Sequence, residues 1–263
     1  MTSFDGRASI LLLGDSITEQ GWGIRGGRGW CSILADSFKR KADVTNRGFG
    51  GYTTRTLFPI ARRLLTPGAA SPRHHLITLF LGANDANTQT EQHVPVGEYK
   101  QRLTELLTLA KGAGQHVLCI GPGPVDNRRW PTRSNANVAA YNDAAFSAAS
   151  AAGVAFCSLY GDAAGVKHDG FVFPVVPEGS QLGSSEPPAW LDYLSDGLHL
   201  SCTGNEKLAQ LILRTCEELG GGPGSLPQDF PHWSSLCYDE KIEGGAAESA
   251  FTEEALVKFR SNQ

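Results

Sequence analysis

An α/β domain, built on a parallel sheet with helices on both faces, is the fold class this sequence predicts. Two observations carry that expectation. Apolar runs of strand length alternate with helix-period stretches from residue 9 to residue 219. Ser16, the Gly48–Gly51 stretch and Asn84 each lie just past the end of one of those runs, where such sheets bind their ligands. A chain of 263 residues suits one such domain with a tail.

The elements follow in order. Residues 9–13 form a buried strand, and 30–41 a helix with Ile33, Leu34, Ser37 and Phe38 on one face. A short second strand spans 44–46. Residues 55–65 are helical up to the stop at Pro67-Gly68, and Pro59 requires that helix to kink or to begin later. Residues 75–81 are the third strand. The helix over 97–111 carries Tyr99, Leu103, Leu106, Leu107 and Ala110 as its apolar stripe. The fourth strand, 116–120, ends at Gly121-Pro122-Gly123-Pro124, and an alanine-rich helix covers 136–151. A fifth strand spans 153–158. The last helix, 203–219, opens on Thr203 with Glu206 in a capping-box pattern.

Three candidate functional turns follow the first three strands. Gly14-Asp15-Ser16 exposes a hydroxyl at a strand end, as a nucleophile or as a helix N-cap. Asn46-Arg47-Gly48-Phe49-Gly50-Gly51 lets the backbone approach a ligand and aim N–H groups at it, or is a flexible turn. In Leu81-Gly82-Ala83-Asn84-Asp85 the Asn84 carboxamide can donate to a developing oxyanion, or satisfy its own backbone in an Asx turn. Near the domain's end, Asp196-Gly197-Leu198-His199 puts a carboxylate three residues before an imidazole, so one loop supplies a base and the group that orients it. The alternative there is a helix-start histidine with an incidental carboxylate. Of the other histidines, His74 and His75 are expected at a strand boundary or surface, His116 in a structural role, and His93, His168 and His232 in loops without a partner. Gly26-Gly27-Arg28-Gly29 positions the helix at Trp30 and lacks the Lys-Ser or Lys-Thr of a phosphate loop.

Composition removes other classes. A net charge of −4 gives no basic footprint for nucleic acid. No apolar run approaches the ~18 residues of a membrane span, and the first residues lack a signal-peptide core. The six cysteines form no C-x-x-C pair and no metal cluster; Cys119 and Cys157 lie in apolar runs, as buried free thiols do. No metal and no cofactor are expected, and the cytoplasm is the expected compartment.

The four blocks, in this order, resemble the GDSL or SGNH hydrolase family over residues 10–213. Within it, Gly14-Asp15-Ser16-Ile17-Thr18-Glu19 and Leu194-Ser195-Asp196-Gly197-Leu198-His199-Leu200-Ser201 look like the isoamyl acetate-hydrolysing esterase subgroup. The resemblance implies a three-layer α/β/α flavodoxin-like sandwich with a five-stranded parallel sheet. It implies an esterase acting without a cofactor on small, short-acyl esters such as acetyl esters. By position, Ser16 is the nucleophile, His199 the general base and Asp196 the orienting carboxylate. The oxyanion hole takes the Ser16 and Gly51 backbone N–H groups and the Asn84 side chain, with Gly50 adjacent to Gly51 as the competing donor. An acyltransferase or thioesterase with the same triad, and a non-catalytic binding protein on the same fold, are the alternatives.

The domain is expected to cover residues 1–219. Residues 161–188, long and proline-rich, are a candidate substrate wall together with Trp190. Residues 220–263 form an extension expected to pack on the domain or on a second copy as a homodimer.

Overall fold

The computed structural model describes residues 7–23, 27–66, 74–88, 91–159 and 192–228. The candidate wall at 161–188, Trp190, His168, His232 and the tail beyond 228 lie outside the described residues.

Five parallel strands form the sheet: β1 (Ala8–Gly14), β2 (Ala42–Gly48), β3 (His74–Phe80), β4 (Gly114–Ile120) and β5 (Ala155–Cys157), in the order β2-β1-β3-β4-β5. Between them run α1 (Ser16–Glu19), α2 (Trp30–Ser37), α3 (Thr54–Leu65), α4 (Val96–Ala113) and α5 (Asn135–Ala152), with α6 (Cys202–Glu218) following β5. α4 packs between α3 and α5 on one face, and α2 packs with α6 on the other. This is the three-layer flavodoxin-like arrangement expected from the sequence. Buried on both faces, β1 and β3 have no polar alternation: Ile10, Leu12, Leu13, Leu76, Ile77 and Leu79 are all fully buried.

Strand order reverses at β1, whose neighbours are β2 and β3; ligands bind at such switch points. Register levels the rim there. Gly14 pairs with Gly48 on one side and Phe80 on the other, and Phe80 pairs with Ile120. The segments that follow β1, β2, β3 and β4 therefore leave the sheet at one height.

Several local expectations change. α2 ends at Ser37 rather than 41, and Arg40 turns the chain with φ 61°. α3 neither begins later nor stops at Pro59: Thr53 caps it and it runs through the proline. Pro59 and Arg55 are both exposed, so water can take the place of the missing intrahelical bond. The Thr203–Glu206 capping box is not formed. Ser201 is the N-cap, its hydroxyl accepting from the Gly204 N–H, and Thr203 lies inside the helix. His75 is not at a boundary but buried within β3, its ring bonded to the Gly221 carbonyl at 3.0 Å. His93 has a partner, the Asp85 carbonyl, at 3.1 Å. Cys119 and Cys157 are fully buried free thiols. Among the described residues no helix is long and apolar enough to cross a membrane.

Candidate active site

β1 delivers Ser16 to the rim. Asp15, not Ser16, caps α1: its Oδ1 accepts the Ile17 N–H at 3.0 Å. Ser16 is thus the first helical residue, and its own N–H is among the helix-start donors that have no intrahelical acceptor. The Asp15 carboxyl is buried and, among the described residues, its Oδ2 has no hydrogen-bond partner. Burial pushes its pKa up to about 7, against the opposing Ile17 hydrogen bond.

The Asp196–His199 turn comes from the far end of the domain. Leu194 and Leu200 bridge its base, and Ser195 N–H donates to the His199 carbonyl at 2.8 Å. Asp196 Oδ1 accepts the Leu198 and His199 N–H groups at 2.9 and 2.8 Å. Its Oδ2 lies 2.7 Å from His199 Nδ1. On the other side of the ring, His199 Nε2 lies 2.9 Å from Ser16 Oγ. Burial of Asp196 works against its charge, but the hydrogen bonds from His199 and the two backbone N–H groups outweigh it and hold the carboxyl below the usual range. An ionised Asp196 can only accept, so Nδ1 carries the proton and Nε2 is free to accept from the serine hydroxyl.

Gly197 makes that turn possible. Its φ is +93°, and a Cβ there would lie 2.9 Å from Asp126 Cβ.

Register brings Gly51 and Asn84 to the same rim; among the described residues no hydrogen bond joins either to Ser16. Gly51 has φ +76°, and its carbonyl accepts from Gln92 Nε2 at 2.9 Å. Asn84 does not form an Asx turn on its own backbone. Its Nδ2 donates to the Tyr52 carbonyl at 2.9 Å, and its Oδ1 accepts from Arg133 Nη2 at 3.1 Å. One Nδ2 hydrogen is therefore spoken for, and the second has no acceptor among the described residues. Next door, Asp85 Oδ1 accepts the Thr54 N–H at 2.9 Å and the Thr54 hydroxyl at 2.5 Å, tying the start of α3 to this loop. Burial raises the Asp85 pKa to about 6.

Four participants were not anticipated: Tyr52, Asp126, Trp130 and Arg133. Tyr52 acts through its backbone, which no residue type announces. The other three lie after β4, a segment in which the sequence offered only a strand terminator. The available signal was positional, since the carboxyl end of a fourth strand in such a sheet must reach the same rim.

Residues 12–207 match the model of the GDSL-like lipase/acylhydrolase family. The chain is 34% identical to the mouse (Mus musculus) isoamyl acetate-hydrolyzing esterase 1 homolog, over 86% of this chain and 87% of that protein. It is 31% identical to the isoamyl acetate-hydrolyzing esterase of Saccharomyces cerevisiae, over 79% and 85% respectively. Among solved structures, a lipase/acylhydrolase from Enterococcus faecalis superposes with a TM-score of 0.59 at 23% identity, over 85% of this chain and 100% of that one, which bears on the fold alone.

Proposed function

The chain belongs to the GDSL-like lipase/acylhydrolase family and is a carboxylic ester hydrolase, and from that premise we propose that it works through a Ser16–His199–Asp196 triad and an acyl-enzyme. The observation that supports this reading most is the unbroken path from Ser16 Oγ to His199 Nε2 at 2.9 Å and from Nδ1 to Asp196 Oδ2 at 2.7 Å. His199 takes the hydroxyl proton as Oγ bonds to the ester carbonyl carbon. The carbonyl oxygen gains the negative charge and meets the second Asn84 N–H and the Gly51 and Ser16 backbone N–H groups. As the tetrahedral centre collapses, the alkoxide leaves with the proton from His199. Water, deprotonated by the same ring, then attacks the acyl-serine, and the acid departs as Ser16 regains its hydrogen. Acetyl and other short acyl groups are the proposed substrates, on the strength of the relatives named for isoamyl acetate.

Ser16→Ala tests it. The variant is expected to lose about 10³-fold or more in kcat while folding normally, and to stop reacting with a fluorophosphonate probe. Near-normal turnover of an acetyl ester by folded Ser16→Ala protein would remove Ser16 from the chemistry.

A further inference from the structure

Among the described residues the loop between β4 and α5 makes no hydrogen bond to Ser16 or to the His199 ring, yet it grips both halves of the site. Asp126 N–H donates to the Gly197 carbonyl at 2.7 Å. Trp130 Nε1–H donates to the Asp196 carbonyl at 3.1 Å. Arg133 Nη2 donates to Asn84 Oδ1 at 3.1 Å, and Nη1 donates to the Ala83 carbonyl. The guanidinium lies 5.6 Å from the Trp130 ring centroid.

Arg133 is an unusual thing to find there. It is only 4% exposed; the buried Asp15 carboxylate acts on it at a distance, but among the described residues no carboxylate makes an ion pair with it. Burying a guanidinium costs several kcal/mol even after relaxation, and a carboxylate partner is the ordinary way to offset that. Here the two hydrogen-bond acceptors are neutral amide oxygens, and one of them belongs to the side chain assigned to the oxyanion.

A cation on Oδ1 does two things to a carboxamide. It fixes which way round the group sits, because a guanidinium has no acceptor and the Tyr52 carbonyl no donor; both contacts demand Oδ1 toward Arg133 and Nδ2 toward Tyr52. It also draws electron density toward Oδ1, leaving the N–H hydrogens more positive and better donors to an anion. A donor held before the reaction begins needs no reorganisation when charge develops.

We propose that Arg133 is a positioning residue for the oxyanion, orienting and polarising the Asn84 carboxamide. The proposal rests on the Asn84 role given above. It acts on the transition state and not on substrate binding, so its mark is in kcat.

The test is a double-mutant cycle on the full chain with an acetyl ester, using Asn84→Ala, Arg133→Met and the double variant, each with its folded fraction checked by circular dichroism. Arg133→Met is expected to lower kcat about 10- to 100-fold, short of full removal of an oxyanion donor, with KM within about threefold. Arg133→Lys should recover part of the loss, since an ammonium supplies charge but cannot fork to both oxygens. In the Asn84→Ala background the arginine change should cost less than about threefold, because the group it serves is gone. Losses that multiply in the double variant, with Asn84→Ala itself strongly impaired, would overturn the Arg133 proposal alone. Unimpaired Asn84→Ala would overturn the oxyanion reading and this proposal with it. Should Arg133→Met not fold, the same cycle run with Arg133→Lys decides by the same multiplicative-or-not criterion.

Discussion

Two aspartates, Asp15 and Asp196, sit in turns with the same local chemistry and opposite fates. Each accepts the backbone N–H two residues on through Oδ1, from Ile17 at 3.0 Å and from Leu198 at 2.9 Å. Asp15 is 1% exposed and its second oxygen has no partner among the described residues, so burial drives its pKa up to about 7. Burial also opposes the charge on Asp196, but the side chain keeps 46% of its exposure and its second oxygen meets the His199 ring, so its pKa falls. An Asx-type hydrogen bond alone does not make a carboxylate functional. What separates the two is burial, which the tertiary structure sets, and the group at the second oxygen, which for Asp196 comes from its own turn.

The comparison breaks most visibly at Asp196. On the proposed mechanism, Asp196→Asn keeps an oxygen for the Leu198 and His199 N–H groups but no longer holds the ring in its working tautomer or balances the imidazolium. kcat is expected to fall about 10³- to 10⁴-fold with little change in melting temperature at pH 7. A folded variant with kcat within tenfold of wild type would show that His199 needs no carboxylate.

The positions of Ser16, Asn84, Asp196 and His199 were legible in the sequence because each is a chemically marked residue in a strand-end turn. So were the strands β1, β3 and β4, long apolar runs whose period needs no partner to interpret. Less was legible where a distant residue decides the outcome. Trp30 N–H, at the start of α2, is capped by Asn205 Oδ1 at 3.0 Å, 175 positions along the chain. The cap of α6 went to Ser201 because its hydroxyl was better placed than the Thr203 pattern next to it. The Arg133 clamp on Asn84 spans 49 positions and has no local signature at all.

The Asp196 turn depends on what braces it, and two smaller changes measure that. Gly197→Ala places a methyl 2.9 Å from Asp126 Cβ at a φ of +93°, so the turn must shift. The backbone strain alone is roughly 1–2 kcal/mol. A loss of about 10- to 100-fold in kcat is expected, together with a lower melting temperature. Activity unchanged within threefold would mean the Asp196–His199 geometry tolerates displacement. Trp130→Phe keeps an aromatic face for Arg133 but removes the donor to the Asp196 carbonyl. The net worth of such a bond is about 1 kcal/mol, which corresponds to a loss of about fivefold in kcat if it is felt in full at the transition state. Thermal melts and kcat measured together place that bond on stability or on catalysis.

The remaining test concerns Asp15, and it reads stability as a function of pH rather than kcat. A carboxyl whose folded pKa is raised from 3.8 to about 7 binds its proton more tightly in the native state than in the unfolded chain. Its contribution to stability is therefore fully present below pH 3.8 and is lost as pH rises through about 7. Asp15→Asn removes the ionisation while keeping an Oδ1 acceptor for the Ile17 N–H, since asparagine caps helices as well as aspartate. Its amide hydrogens replace an oxygen that has no partner, a penalty of about 1–3 kcal/mol that does not change with pH. The variant can thus be less stable than wild type at pH 4, but the gap must close, or reverse, as pH rises to 7 and then stay constant. Asp85, raised to about 6, is present in both proteins and largely cancels in the difference. Asp196, whose folded pKa is lowered, contributes stability that is lost only as pH falls below its unfolded value near 3.8, so it does not enter this window. Melting temperatures of the two proteins from pH 4 to 9 make the measurement. A difference that does not vary across that range would mean Asp15 is charged in the folded protein at all these pH values, and the contrast between the two aspartates would be one of position only.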